Sequence, residues 1–182
     1  CYQVPALMRE GTTVVISPLI SLMKDQVEGL RANGVPAAAL NSMNDEAESA
    51  RVRAACLRGE LKLLYISPER LMLELPYLIR DMKVSLFAVD EAHCISPEYA
   101  QLGLLRQTFP DVPIVALTAT ADRLTREDIQ KQLALSDPVV FISSFDRPNL
   151  SLDVKRGYQK KDKDRAILEL VARHPDDCGI IY

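Results

Sequence analysis

Asp90-Glu91-Ala92-His93 is the segment of this sequence with the clearest capacity for chemistry. The two carboxylates directly follow an apolar run, residues 84–89. If that run is a buried strand, its mouth carries two charges that are costly unless they bind something cationic. In nucleoside triphosphate hydrolysis the first carboxylate of such a pair can hold Mg2+, often through water. The second can polarise the attacking water. Acids stabilising a helix N-terminus would be the plain structural alternative. The apolar run before the pair and the His after it favour the nucleotide reading.

Three further segments place polar residues just after apolar runs. Ser17-Pro18 ends residues 12–17, and Lys24 follows about two helical turns later. A hydroxyl and a free helix N-terminus suit a phosphate, although an amphipathic core helix with one exposed Lys would look the same. Ser67-Pro68-Glu69-Arg70 repeats the arrangement after residues 63–66. Here Pro can simply be helix punctuation. Thr118-Ala119-Thr120 follows residues 114–117, where small hydroxyl residues can bond a neighbouring loop or cap the next helix.

The elements that must position these residues alternate. Short β-branched runs at 12–17, 37–40, 63–66, 84–89, 114–117 and 139–142 read as strands. Between them, 19–31, 45–58, a short stretch to residue 80, 98–108 and 125–135 read as helices. Asn33-Gly34 and Gly59 supply stop signals for the first two. Strands that are apolar throughout and separated by helices imply a parallel sheet covered on both faces, a doubly wound α/β fold. Ligands of such folds bind at the carboxyl ends of the strands, which is where all four segments fall. The rhythm then restarts, with strands expected at 150–154 and 179–182 and a helix at 162–173. Residues 155–165 are strongly basic and belong to a second unit beginning near Asp146.

Composition narrows the class. The chain has 182 residues, 48% hydrophobic and 26% charged. These values match soluble globular domains and exclude disordered, collagen-like and mucin-like chains. Its longest apolar runs are about seven residues, against the ~20 needed to span a bilayer. No secretory signal opens it. The net charge of -3 argues neither for nor against a nucleic-acid partner. Cys1, Cys56, Cys94 and Cys178 are widely spaced and read as buried thiols of a reducing compartment. No zinc spacing exists around His93 or His174.

Taken together, V-V-I-S-P-L-I-S-L-M-K-D-Q, L-L-Y-I-S-P-E-R-L, A-V-D-E-A-H-C-I-S and A-L-T-A-T-A resemble, in order and spacing, the motifs of the RecQ family of DNA helicases. C-Y-Q-V-P-A-L at the start, S-F-D-R-P-N-L at 144–150 and G-I-I-Y at 179–182 also resemble that family. The resemblance implies two RecA-like domains, residues 1–145 and the start of a second at 146–182. It implies ATP with Mg2+ and 3′-to-5′ movement on single-stranded DNA, with duplex unwinding in repair or recombination. Asp90 would hold Mg2+ through water and Glu91 would be the general base. His93 would couple the ATP site to DNA, with Thr118, Ala119 and Thr120 in the coupling motif. Ser17, Pro18, Lys24, Ser67, Pro68, Glu69 and Arg70 would line the DNA path. Arg147 and Asn149 would lie where the two domains join. The implied location is the bacterial cytosol or nucleoid, or a eukaryotic nucleus. No protein partner follows from the resemblance.

Two departures stand against it. The family's glycine-rich Gly-Lys-Ser loop would precede C-Y-Q, but the first Lys here is Lys24. Ser96 also joins Pro97 directly, where the family has an aromatic, Trp-bearing loop. The absence of Trp and the count of only 7 Gly match both gaps. If the loops are deleted rather than omitted, the fragment is expected neither to bind ATP well nor to unwind DNA. The rival readings are an RNA helicase or remodelling ATPase, and an inactive nucleic-acid-binding module. No G-x-G-x-x-G follows a strand, which disfavours a dinucleotide-binding oxidoreductase.

Overall fold

Five short aliphatic segments build one parallel sheet: β1 (Thr12–Ile16), β2 (Ala37–Leu40), β3 (Leu63–Ile66), β4 (Val84–Val89) and β5 (Ile114–Ala116). Their order is β2-β3-β1-β4-β5. A computed structural model of the chain describes residues 1–94, 99, 101–143, 149–151, 153–154, 156–157, 159–175 and 177–181. The chain divides into two units, Cys1–Val139 and Val140–Tyr182.

In the first unit, residues alternate between two cores, as the period of a strand demands. Val14, Ile16, Leu64, Ile66, Phe87 and Val89 face one core. There they meet Val52 and Cys56 of α3 (Glu46–Leu57), Leu71 of α4 (Pro68–Glu74), Leu105 of α5 (Gly103–Thr108) and Ile129 of α6 (Arg123–Gln132). Val15, Tyr65 and Ala88 face the other, with Ala6 of α1 (Gln3–Met8) and Met23, Val27 and Leu30 of α2 (Ile20–Ala32). Helices therefore cover both faces, the doubly wound α/β fold expected. Each fully buried Leu, Ile or Phe contributes roughly 1.5–3 kcal/mol of transfer free energy.

Register is what makes the sheet a scaffold. Ile16 is level with Ile66 and with Val89, Leu40 with Ile66, and Val89 with Ala116. All five strands thus end on one line. The next residues, Asn41, Ser67, Ser17, Asp90 and Leu117, form a row along the carboxyl edge. The chain leaves β1 toward β2 but leaves β4 toward β5, on the opposite side. The β1–β4 seam is therefore the switch point at which a crevice opens. At the other end of the seam, Gly11 is required. Its φ is +104°, and a Cβ there would lie 2.5 Å from the Lys83 carbonyl oxygen.

Helix ends differ from the expected ones by one to three residues, where caps decide. Asp45 caps α3 by accepting from Glu48 N–H, and Asp122 caps α6 by accepting from Thr125 N–H. Of the expected helix 98–108, Tyr99 is helical and Gly103–Thr108 forms α5, with a turn at residues 101–102 and residues 95–98 and 100 outside the description. α1 has no sequence signature beyond a short apolar stretch around Pro5 and was not anticipated. α4 continues into a π-helical turn, Leu75–Ile79.

The second unit contains α7 (Lys160–Arg173), opened by a capping box between Gln159 and Asp162. The strands expected at 139–142, 150–154 and 179–182 are not formed by the described residues there. Val139, Phe141 and Ile142 are instead exposed. A strand is satisfied only by a neighbour that takes its N–H and C=O groups, and these segments have no such neighbour among the described residues. The cysteines also differ from expectation. Cys56 is buried, Cys94 half-buried, and Cys1 and Cys178 are exposed. Among the described residues, no helix is long and apolar enough to cross a membrane.

Candidate active site

The carboxyl end of β4 leaves the ladder by a one-residue slip. Leu117 N–H donates to Val89 O at 2.8 Å, as the register requires. The next bond should come from Glu91 N–H to Leu117 O. Ala92 N–H makes it instead, at 2.9 Å. Glu91 is the extra residue, bulged out with φ +48°, a region costly for any side chain except Gly. Its own N–H donates to Asp90 Oδ1 at 3.1 Å. The bulge turns the Glu91 side chain out of the sheet into a half-exposed position, beside an equally half-exposed Asp90.

His93 closes the group. Its Nδ1 lies 2.9 Å from Thr118 Oγ1 and 3.4 Å from Glu91 Oε2. A carboxylate can only accept. Nδ1 therefore carries the proton when all three are joined, and Thr118 Oγ1 accepts. Thr120 N–H also donates to Thr118 Oγ1, at 3.3 Å. The loops after β4 and β5 are thus linked through one imidazole. Burial, with Glu91 adding, raises the thiol pKa of neighbouring Cys94.

The row brings the other expected residues to the same edge in different states. Ser17 is 2% exposed, and its Oγ has no hydrogen-bond partner. The N-cap of α2 is Leu19, which offers no side-chain bond to the first-turn N–H groups. Pro18 is half-buried behind it. Lys24 is exposed, with Glu28 at 3.9 Å. Ser67 is the N-cap of α4, with Pro68 at its start and Arg70 N–H donating to the Ser67 hydroxyl at 3.4 Å. Glu69 is exposed. The Arg70 guanidinium is committed to Glu74, Nη2 to Oε1 at 2.8 Å. Glu74 is almost fully buried and also accepts from Arg53 Nε through both oxygens, each at 3.1 Å. Those bonds, and a further one to Glu46, push the Arg53 guanidinium pKa up. Ala119 lies between Thr118 and Thr120 on the exposed loop after β5. Asn149 is exposed in the second unit, and Arg147 lies outside the described residues.

Three positions were not singled out from the sequence. Asn41 occupies the row at the end of β2, where its Oδ1 accepts from Met43 N–H and its own N–H donates to Asn44 Oδ1. The polar run Asn41–Asp45 after an apolar strand was the available signal. Gln3 donates to Gln26 at 2.8 Å and to the Tyr65 hydroxyl at 3.3 Å, tying α1 to α2 and β3. Tyr99 donates its hydroxyl to Asp90 O at 2.9 Å. Neither of these tertiary contacts has a sequence signature.

A carboxylate pair at a sheet's switch point, joined through an imidazole to the next strand's loop, defines a class. Residues 1–129 match the DEAD/DEAH box helicase family, and the chain belongs to it. Among curated proteins it is 49% identical over its whole length to an ATP-dependent DNA helicase RecQ of Pasteurella multocida, and 43% identical to one of Bacillus subtilis. It spans 30% and 32% of those proteins. Among solved structures, the Hef helicase domain of Pyrococcus furiosus shares the fold, with a TM-score of 0.52 at 22% identity over 71% of this chain and 28% of that one.

Proposed function

We propose that the chain is the motor portion of a RecQ-type ATP-dependent DNA helicase. It couples ATP hydrolysis to 3′-to-5′ translocation on single-stranded DNA and unwinds partly duplex DNA in repair or recombination. The observation that carries this is the Asp90–Glu91–His93–Thr118 constellation at the β1–β4 switch point. Residues 1–145 form the first RecA-like domain and 146–182 begin a second, with Arg147 and Asn149 where the two join. The enzyme works in the bacterial cytosol or nucleoid, or in a nucleus.

The residues present fit Mg2+. Mg2+ is held by one or two carboxylates plus substrate phosphates and keeps several waters, so it needs no dedicated cage. Asp90 offers an accessible carboxylate that accepts from Glu91 N–H, and no larger ligand cluster exists among the described residues. Asp90 would hold the ion through water, and the ion would draw charge from the phosphates of ATP. Glu91, swung out by its bulge, is the base toward the attacking water. His93 holds that carboxylate against Thr118, so a shift of the loop after β5 reaches the base directly.

DNA lies along the rest of the row. The uncapped N-terminus of α2 presents free N–H groups to a phosphate, while the Ser17 hydroxyl is turned inward. Lys24 adds charge at the surface. Ser67, Pro68, Glu69 and Arg70 shape the neighbouring loop, where Arg70 shares the Glu74 carboxylate with Arg53 and Arg53 pairs with Glu46 as well.

The test is single-stranded-DNA-stimulated ATP hydrolysis by the protein at its full natural length. Glu91→Gln is expected to lower kcat by about 10²–10⁴-fold, as for a lost general base, with DNA affinity kept. Unchanged hydrolysis would remove Glu91 from its role.

A further inference from the structure

The Asp90 peptide has a gap in its hydrogen bonding that the sequence itself creates. Asp90 N–H donates to Ile16 O at 2.8 Å, as the next rung of the β1–β4 ladder. The following rung of a parallel ladder should carry a bond to Asp90 O from residue 18, just past the end of β1. Residue 18 is Pro and has no N–H. The carbonyl immediately before the strained Glu91 therefore cannot be held by the sheet. The Tyr99 hydroxyl donates to it at 2.9 Å, from a side chain that is 2% exposed.

The geometry points to Tyr99 as the positioning residue of the Asp90–Glu91 turn, its hydroxyl replacing the ladder bond that Pro18 cannot give. Tyr99 touches no reacting atom. It fixes one side of the peptide from which the bulge departs, while the Ala92-to-Leu117 bond fixes the other. Between these two anchors Glu91 is held at φ +48°. Without the first anchor the turn can relax toward ordinary backbone angles, carrying the Glu91 carboxylate away from His93. The inference rests on the reading of Glu91 as the general base.

The experiment uses the full-length protein and compares steady-state ATP hydrolysis, single-stranded DNA binding and thermal unfolding. Tyr99→Phe keeps the ring and removes only the donor. It is expected to lower kcat about ten- to hundredfold, the scale of a small misplacement of a catalytic group. KM for ATP and DNA affinity should stay within about twofold. On a Glu91→Gln background, Tyr99→Phe is expected to add no further loss, because the two act as one unit. Leu105→Val loosens the same core away from the turn and should lower the unfolding temperature while leaving kcat unchanged.

Full turnover in Glu91→Gln would overturn the reading of the base, and this inference with it. Loss in Glu91→Gln with turnover in Tyr99→Phe within twofold of the parent would overturn this inference alone. So would a further, additive loss in the double variant. An equal fall of kcat in Leu105→Val would do the same, by showing that any softening of the core produces it.

Discussion

The carboxyl end of β4 is held in a conformation its own residues disfavour, whereas the carboxyl end of β3, two strands away, is satisfied step by step. After β3 the chain turns into α4 with Ser67 as cap, Pro68 at the helix start and Arg70 and Arg53 folded onto buried Glu74. After β4 a residue is squeezed out, takes a positive φ, and is kept there by bonds from β5, His93 and Tyr99. Both ends stand in the same row of the same sheet. The difference separates positions tuned for stability from positions where stability is given up to aim a side chain.

Changes at the β3 end should therefore register in unfolding, and changes at the β4 end in turnover. The largest stability effect is expected for Glu74→Gln, which leaves Arg70 against a neutral amide and Arg53 with Glu46 alone. Breaking a buried pair in this way costs about 3–5 kcal/mol, readable by urea unfolding. A cost below about 1 kcal/mol would erase the contrast. Next, Ser67→Ala should cost about 1 kcal/mol, the ordinary loss of an N-cap. Ser17→Ala, the same change at the other Ser-Pro step, should be neutral or slightly stabilising, since a buried hydroxyl without a partner contributes nothing. Equal costs at the two serines would show that the Ser-Pro steps are equivalent after all. A small gain rather than a loss is expected at the bulge. Glu91→Gly should stabilise by about 0.5 kcal/mol, because relief of the left-handed strain slightly exceeds the chain entropy of Gly. The same variant should lose hydrolysis. Destabilisation would mean that Glu91 is not strained there.

Residues buried on both faces of the sheet were the most legible. The runs 63–66 and 84–89 match β3 and β4 because uninterrupted aliphatic sequence in a parallel sheet has no other use. The row of candidate residues followed from the rule that ligands sit beyond strand ends. What was not legible depends on contacts between distant positions. Arg53 meets Glu74 across 21 residues, and Arg70 spends its charge there rather than on solvent. The bulge at Glu91 is set by where β5 finds its partner, and nothing in D-E-A-H by itself reveals it. Among the described residues, the strands expected after residue 139 are not formed, for the converse reason. A strand pattern reports a willingness to pair, and pairing needs a neighbour.

The sheet tapers, and the taper has a consequence for how copies of this chain meet in solution. β4, near the middle, has six residues, while β2 and β5 at the margins have four and three. Each marginal strand is introduced by Val-Pro, Val35-Pro36 and Val112-Pro113. The carbonyls of both prolines already accept from the inner neighbours, Lys62 N–H at 2.8 Å and Phe87 N–H at 3.0 Å. A second molecule would find only a few rungs on either side, and short margins with Pro at the entry are poor templates for pairing. The arrangement therefore leaves the two margins of the sheet poorly suited to growth into a shared ribbon.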